Sequence, residues 1–348
     1  MDDRIMNLTY ISKSQSQALK GCALFMMVFL HLFNKPSNLQ TTFSLFDVAG
    51  VPLVNFLSRG MSPVDFYLFL SGYGLYYIYK SKKQTRAGNF MRLARLVIIY
   101  WLILLVFVTM GHFMKPGVYP GSMWDLVQNI TAFRTTYNGE AWFLFPYLLM
   151  SLTCGFLFQI LDRFRGLKVF AVCMGVYIIS CFLISRYYAS FFNSHYAFYH
   201  VVVYFSFLLP FVLGAIFCKY ASKEHTGFCM RCLNGMPQWM LVVALLLLFL
   251  SCCVISSAVY SPFYVCMFVL LFLRIRWWGW IERGMMFLGK FSTSVWLIHT
   301  WFCYYLFHDF IYGFHYPMFI LVVEFTVSIM SGYVIQKIAK QVYRVVGL

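Results

Sequence analysis

The sequence predicts an all-α integral membrane protein of about ten transmembrane helices, with both termini in the cytoplasm. Three observations carry that expectation. Of the 348 residues, 61% are hydrophobic and only 11% are charged, where a soluble domain is typically about a quarter charged. Mean hydropathy is +0.74, which implies more apolar surface than one soluble core can hide. The lysines and arginines fall between apolar runs rather than along one amphipathic face. The net charge of +16 therefore reads as topogenic charge and not as a nucleic-acid surface.

Runs of about 20 apolar residues mark membrane spans. They occur at approximately 17–34, 62–80, 91–110, 140–161, 168–186, 197–218, 238–258, 261–274, 285–307 and 316–337, the eighth being short. With a cytoplasmic N-terminus, all but five of the 27 basic residues lie on inner segments, the exceptions being Lys35, Arg59, Lys115, Arg134 and Arg186. That bias fixes the expected orientation. No internal repeat and no low-complexity tract interrupts the pattern. No small-residue cleavage site follows the first run, so no cleavable signal is expected. Only a short basic tail follows the tenth run, so residues 1–348 read as a single membrane domain with no appended soluble module.

The eleven cysteines lie mostly inside apolar runs, where a thiol behaves as a small hydrophobe, and they are expected free and reduced. Cys229 and Cys232 with His225 nearby look like part of a zinc site but fall one ligand short of four. No metal is expected.

Polar residues inside apolar runs carry the functional signal. With alternating direction, His31 lies near the outer end of span 1 and Asp65 near the outer end of span 2. Glu140 opens span 4 from outside. His299 sits in the outer half of span 9, and Glu324 lies roughly 12 Å inward from the outer start of span 10. Unpaired, each would cost several kcal/mol, so they are expected to face one another around a wet cavity. On the inner side, Lys20, Arg92 and Arg95 close the cytoplasmic ends of spans 1 and 3. Guanidinium groups hold phosphate by bidentate, charge-assisted bonds. A phosphate-binding rim below an acid–base cavity suggests a donor held inside and an acceptor met outside.

Each residue also admits a structural reading. His31 could be a satisfied interhelical hydrogen-bonder, and His299 interfacial packing. Asp65, two residues after Pro63, could cap the start of its helix, and Glu140 could cap its own. Arg92 and Arg95 could be topogenic or lipid-binding. Agreement in depth favours the functional reading.

The motifs resemble the acyltransferase-3 family of integral-membrane acyltransferases over essentially the whole chain. That family's first span carries a basic residue, ten residues and a histidine, matched by Lys20 and His31. Its second-span pattern is matched by Val64-Asp65-Phe66-Tyr67-Leu68-Phe69-Leu70-Ser71-Gly72-Tyr73. Its Arg-x-x-Arg opening of the third span is matched by Arg92 and Arg95, and its fourth-span element by Trp142-Phe143-Leu144. A late Ser-x-x-aromatic-Leu-Ile-His element has its counterpart in Ser292-Thr293-Ser294-Val295-Trp296-Leu297-Ile298-His299, with Thr293 in the serine's place. Lys20 stands where arginine is commoner, which keeps the charge but loses the fork. The SGNH-type hydrolase domain of many members is not expected here.

The resemblance implies an O-acyltransferase with acetyl-CoA as donor and an extracytoplasmic or lipid-linked glycan as acceptor, in a multi-pass bacterial plasma membrane. Lys20, Arg92 and Arg95 would grip the CoA phosphates. The eleven-residue step from Lys20 to His31 spans roughly 16 Å of helix, on the order of a pantetheine arm. His31 would be general base on the acceptor hydroxyl, with Asp65 orienting its imidazole. Ser71, Tyr73, Glu140, Trp142, His299 and Glu324 would bind the acceptor, His299 and Glu140 also serving proton movement. A covalent acyl relay on Ser71 or a histidine stays open, as does oligomerisation. The competing class is a transporter of a lipid-linked sugar, opposed by the lack of paired broken helices and of an inverted repeat.

Overall fold

Gly72 and Gly214 set a backbone-to-backbone helix contact in the computed structural model, which describes residues 11–81, 85–221 and 235–348. A Cβ on Gly72 would stand 1.8 Å from the carbonyl oxygen of Phe211, and one on Gly214 would stand 1.9 Å from that of Phe69. Small residues let membrane helices approach backbone to backbone. Here they join α3 (Pro63–Lys80) to α8 (Tyr196–Ala221). Phe158 stacks on Phe211 at 5.9 Å beside them.

The elements in chain order begin with α1 (Lys13–Phe33), a two-stranded hairpin and α2 (Leu53–Ser58). After α3 come α4 (Arg86–Met114), α5 (Met123–Ile130), α6 (Leu144–Arg163), α7 (Gly166–Tyr187) and α8. Then follow α9 (Gln238–Ile255), α10 (Ser261–Arg274), α11 (Gly279–Lys290), α12 (Ser292–Thr300), α13 (His308–Tyr312) and α14 (Pro317–Val346). The chain is thus almost wholly helical. Among the described residues the only strands are Asp47–Val48 and Val51–Pro52, paired antiparallel. Ala49 and Gly50 turn between them with φ of 51° and 77°, the left-handed pair that a two-residue hairpin needs.

Among the described residues, seven helices are long and apolar enough to cross a membrane: α1, α4, α6 with its preceding 3-10 turn, α7 with its following π turn, α8, α9 and α14. Three of the ten expected spans fall short of that measure. The second, α3, has the expected bounds but carries Asp65 and a run of tyrosines and glycines. The eighth, α10, has 14 residues. The ninth is not one helix. It breaks at Phe291 into α11 and α12, then widens into a π turn over Trp301–Leu306. The Ser-Thr-Ser run at 292–294 explains the break, since hydroxyl side chains compete for backbone groups; Ser294 Oγ donates to Phe291 O at 3.2 Å.

The chain groups into two compact units. Unit 1 comprises Met1–Ala23, Arg59–Thr85 and Met150–Gly289. Within it, Asp162 on α6 accepts from Tyr76 Oη at 2.6 Å and from Lys80 Nζ at 3.0 Å, and Lys219 Nζ lies 3.9 Å away. Gly21 and Gly289 bring α1 and α11 together, a Cβ on either meeting the other helix's backbone at 1.8 or 2.1 Å. Unit 2 comprises Leu24–Ser58, Arg86–Leu149 and Lys290–Leu348. There Gly332 of α14 packs on Ser294 of α12, and Phe107 of α4 stacks on Trp301 at 5.4 Å. The described cysteines are all free. Cys229, Cys232 and His225 lie outside the described residues.

Candidate active site

The end of α1 is held in place by side chains. A helix leaves its last four carbonyls without intrahelical donors, and here the terminal ones are met individually. Tyr304 Oη donates to His31 O. Tyr312 Oη donates to Leu32 O at 2.7 Å. Asn55 Nδ2 donates to Phe33 O at 2.8 Å and to Asn34 O at 3.1 Å. Three side chains from two other segments therefore fix the turn that presents His31.

The imidazole of His31 is half-buried, and its Nδ1 lies 2.7 Å from Nε2 of His299. The ring centroids are 4.9 Å apart and the planes differ by 17°, so the rings meet edge to edge in nearly one plane. His299 is fully buried, and its Nδ1 lies 2.9 Å from Val295 O one turn back on α12. Two imidazoles joined this way must share one hydrogen between them.

The π turn after α12 places the next polar groups. A π turn has more residues per turn than an α-helix and recurs at functional sites. Here it sends two consecutive tyrosines to different partners. Tyr304 reaches the end of α1, and Lys35 Nζ sits 3.6 Å over its ring. Tyr305 Oη donates to Glu140 Oε2 at 2.6 Å and accepts Gly139 N–H at 2.7 Å. Glu140 Oε1 lies 3.8 Å from Lys35 Nζ. Asn138 ties this loop to α12, donating to Leu297 O at 3.3 Å and accepting from Thr300 Oγ1 at 2.9 Å. In unit 2, His31, His299 and Glu140 thus belong to one contiguous polar array.

The basic pair on α4 is also placed. Arg92 donates to Asn89 Oδ1 through Nε and Nη2, at 3.4 and 3.1 Å, and to Tyr147 Oη at 3.0 Å. Tyr147 stacks on Phe143 at 5.3 Å, and Phe143 meets Trp296 edge-on at 5.3 Å. Arg95 lies over the ring of Tyr343 at 5.7 Å, and Tyr343 Oη donates to Arg95 O at 2.9 Å. Among the described residues neither arginine is in an ion pair.

Family membership follows from the sequence that carries this array. A family model described as an acyltransferase domain matches residues 15–335. The chain belongs to the acyltransferase-3 family. It is a multi-pass membrane acyltransferase. The matched stretch contains every candidate residue from Lys20 to Glu324. No curated protein and no solved structure matches the chain.

Other residues read from the acyltransferase-3 motifs have different surroundings. Asp65 belongs to unit 1, where its Oδ2 accepts the Ser261 hydroxyl. Tyr73 is buried and its Oη accepts the Ile11 N–H at 3.0 Å. Ser71 is half-buried on α3, and Lys20 half-buried on α1. Trp142 packs edge-on against Phe143 at 6.2 Å. Glu324 is fully buried on α14, its Oε1 accepting from Ser328 at 2.7 Å while Oε2 has no partner among the described residues. No three His, Cys, Asp or Glu side chains among the described residues gather where they could hold a metal ion.

Asn55, Asn138, Tyr304, Tyr305 and Tyr312 escape sequence reasoning, because asparagine between apolar runs and tyrosine in a chain of 25 tyrosines carry little signal. Lys35 did carry one. It is among the few outer cations, four residues beyond His31.

Proposed function

We propose that the chain is an O-acyltransferase that moves an acetyl or other short acyl group from cytoplasmic acyl-CoA to a hydroxyl of an extracytoplasmic or lipid-linked glycan. The observation that carries this reading is His31, presented on a side-chain-capped helix end with Nδ1 engaged by His299 and Nε2 left for chemistry. In the step proposed, Nε2 takes the proton of the acceptor hydroxyl as its oxygen attacks the thioester carbonyl. The C–S bond breaks, and the proton passes to the leaving sulfur as CoA thiol. The acceptor gains an ester and no net proton is consumed.

Arg92 and Arg95, one turn apart on α4, support a grip on the CoA phosphates, and Lys20 of α1 is proposed as a further phosphate-binding cation. Asn89 and Tyr147 hold the Arg92 fork from the side. Glu140 and Trp142 are proposed to hold the acceptor, since a carboxylate beside aromatic rings suits sugar hydroxyls. The apolar runs support ten spans in a single membrane domain, the charge bias supports cytoplasmic termini, and the family resemblance supports residence in a bacterial plasma membrane.

Purified chain in detergent, given acetyl-CoA and a panel of glycan acceptors, tests the reading. Thiol release that rises with acceptor, with one ester formed per thiol, is the expected result. Uptake or binding of glycan without thioester consumption would replace the transferase with a carrier.

A further inference from the structure

We propose that His299 is the positioning residue of the site: it fixes the tautomer of His31, so that Nδ1 carries the hydrogen and Nε2 carries the lone pair. The proposal rests on the reading of His31 as the base and assigns the orienting role to an imidazole instead of a carboxylate.

The assignment follows from three contacts. A backbone carbonyl has no hydrogen to give, so the 2.9 Å contact between His299 Nδ1 and Val295 O places a hydrogen on that Nδ1. A neutral imidazole carries one N–H, which leaves His299 Nε2 as an acceptor. The 2.7 Å contact from His31 Nδ1 to His299 Nε2 then needs its hydrogen on His31. His31 Nε2 is left unprotonated, the form a general base requires.

The opposite chain of hydrogens would need a doubly protonated His299. That ring is fully buried and has no carboxylate partner among the described residues. A buried, unpaired imidazolium is too costly to be the resting state. Once His31 Nε2 takes the acceptor proton, the positive charge can spread across the pair. The hydrogen between the rings moves toward His299 Nε2, while Val295 O still holds the other end.

Position 299 also offers an informative replacement. A glutamine amide oxygen reaches about as far as an imidazole Nε2 and can accept from His31 Nδ1, whereas alanine leaves that hydrogen without a partner.

The test combines nitrogen NMR and kinetics. Full-length protein labelled with ¹⁵N-histidine is examined in detergent, with His31→Ala used to assign its signal. Wild-type His31 is expected as the Nδ1–H form, and His299→Ala is expected to move it toward the Nε2–H form. In acceptor-dependent thiol release, His299→Ala should lower kcat on the order of 10²–10⁴-fold with both KM values within about twofold. His299→Gln should recover most of the loss. Wild-type His31 in the Nε2–H form, or unchanged kcat in folded His299→Ala, would overturn the proposal. The NMR arm reads the tautomer even if no acceptor supports turnover. Should His299→Ala fail to fold, the wild-type tautomer and His299→Gln still decide. Absence of thiol release with every acceptor would count against the transferase reading alone.

Discussion

Tyr305 donates its phenolic hydrogen to Glu140 Oε2 at 2.6 Å, which pins one oxygen of the carboxylate and leaves the other facing Lys35 at 3.8 Å. A hydrogen bond to a charged group is worth about 1.5–3 kcal/mol, so its loss is visible in binding. If this array holds the acceptor, Tyr305→Phe should raise acceptor KM by roughly tenfold and leave acetyl-CoA affinity unchanged. Glu140→Gln should do the same, and the double variant should be little worse than either alone. Kinetics with donor and acceptor varied separately would check this; a matching rise in donor KM would count against it.

Asn55 makes a stability prediction. Its amide serves two carbonyls at the end of α1, and removing it strands both. Asn55→Ala should destabilise unit 2 by about 1–3 kcal/mol and slow thiol release, because the turn carrying His31 loosens. Thermal unfolding in detergent and turnover measured on the same preparation would show both effects.

Two glycines of α3 should behave in opposite ways. A methyl on Gly72 would overlap Phe211 O, while nothing lies within 4 Å of a methyl on Gly74. Gly72→Ala is therefore expected to lose folded yield or several kcal/mol, since overpacking at a backbone contact forces the helices apart. Gly74→Ala should be neutral or slightly stabilising, because alanine is the better helix former. Size-exclusion profiles and melting curves of the pair make the comparison.

The residues legible in the sequence were those that are improbable in a membrane. His31, His299 and Glu140 stand out because ionisable side chains in apolar runs demand partners, and in unit 2 they are joined by hydrogen bonds and an ion pair. Their partners were not legible. Tyr304 and Tyr305 act through a π turn that has no sequence signature, and Tyr312 and Asn55 cap α1 from far along the chain. Helix placement followed hydropathy well for α7, α8 and α10. The ninth span reads as one run from its mostly apolar composition, while its Ser-Thr-Ser run breaks the helix at Phe291.

Outside the spans, α5 carries a pH-dependent cap. Ser122 Oγ accepts from Asp125 N at 3.1 Å, and Asp125 Oδ2 accepts from Ser122 N at 3.1 Å, the reciprocal bonds of a capping box. The Ser122 hydroxyl first, then its backbone N–H, hold the Asp125 carboxyl below the usual carboxylate range. A carboxyl depressed on folding stabilises above its unfolded value and loses that contribution as pH falls through its folded value. Amides of Ser122–Ile130 should therefore exchange hydrogen faster, relative to the rest of the chain, once the pH drops below the ordinary carboxylate range. Asp125→Asn should remove that acid-dependent step.

The most direct test of the central claim titrates purified wild type and His31→Ala with acetyl-CoA, following binding and slow thioester hydrolysis together. Equal binding by both, with hydrolysis lost only in the variant, is the predicted result and puts His31 in the chemistry with the donor grip elsewhere. Hydrolysis at the wild-type rate in folded His31→Ala, or no binding by folded wild type, would contradict the account.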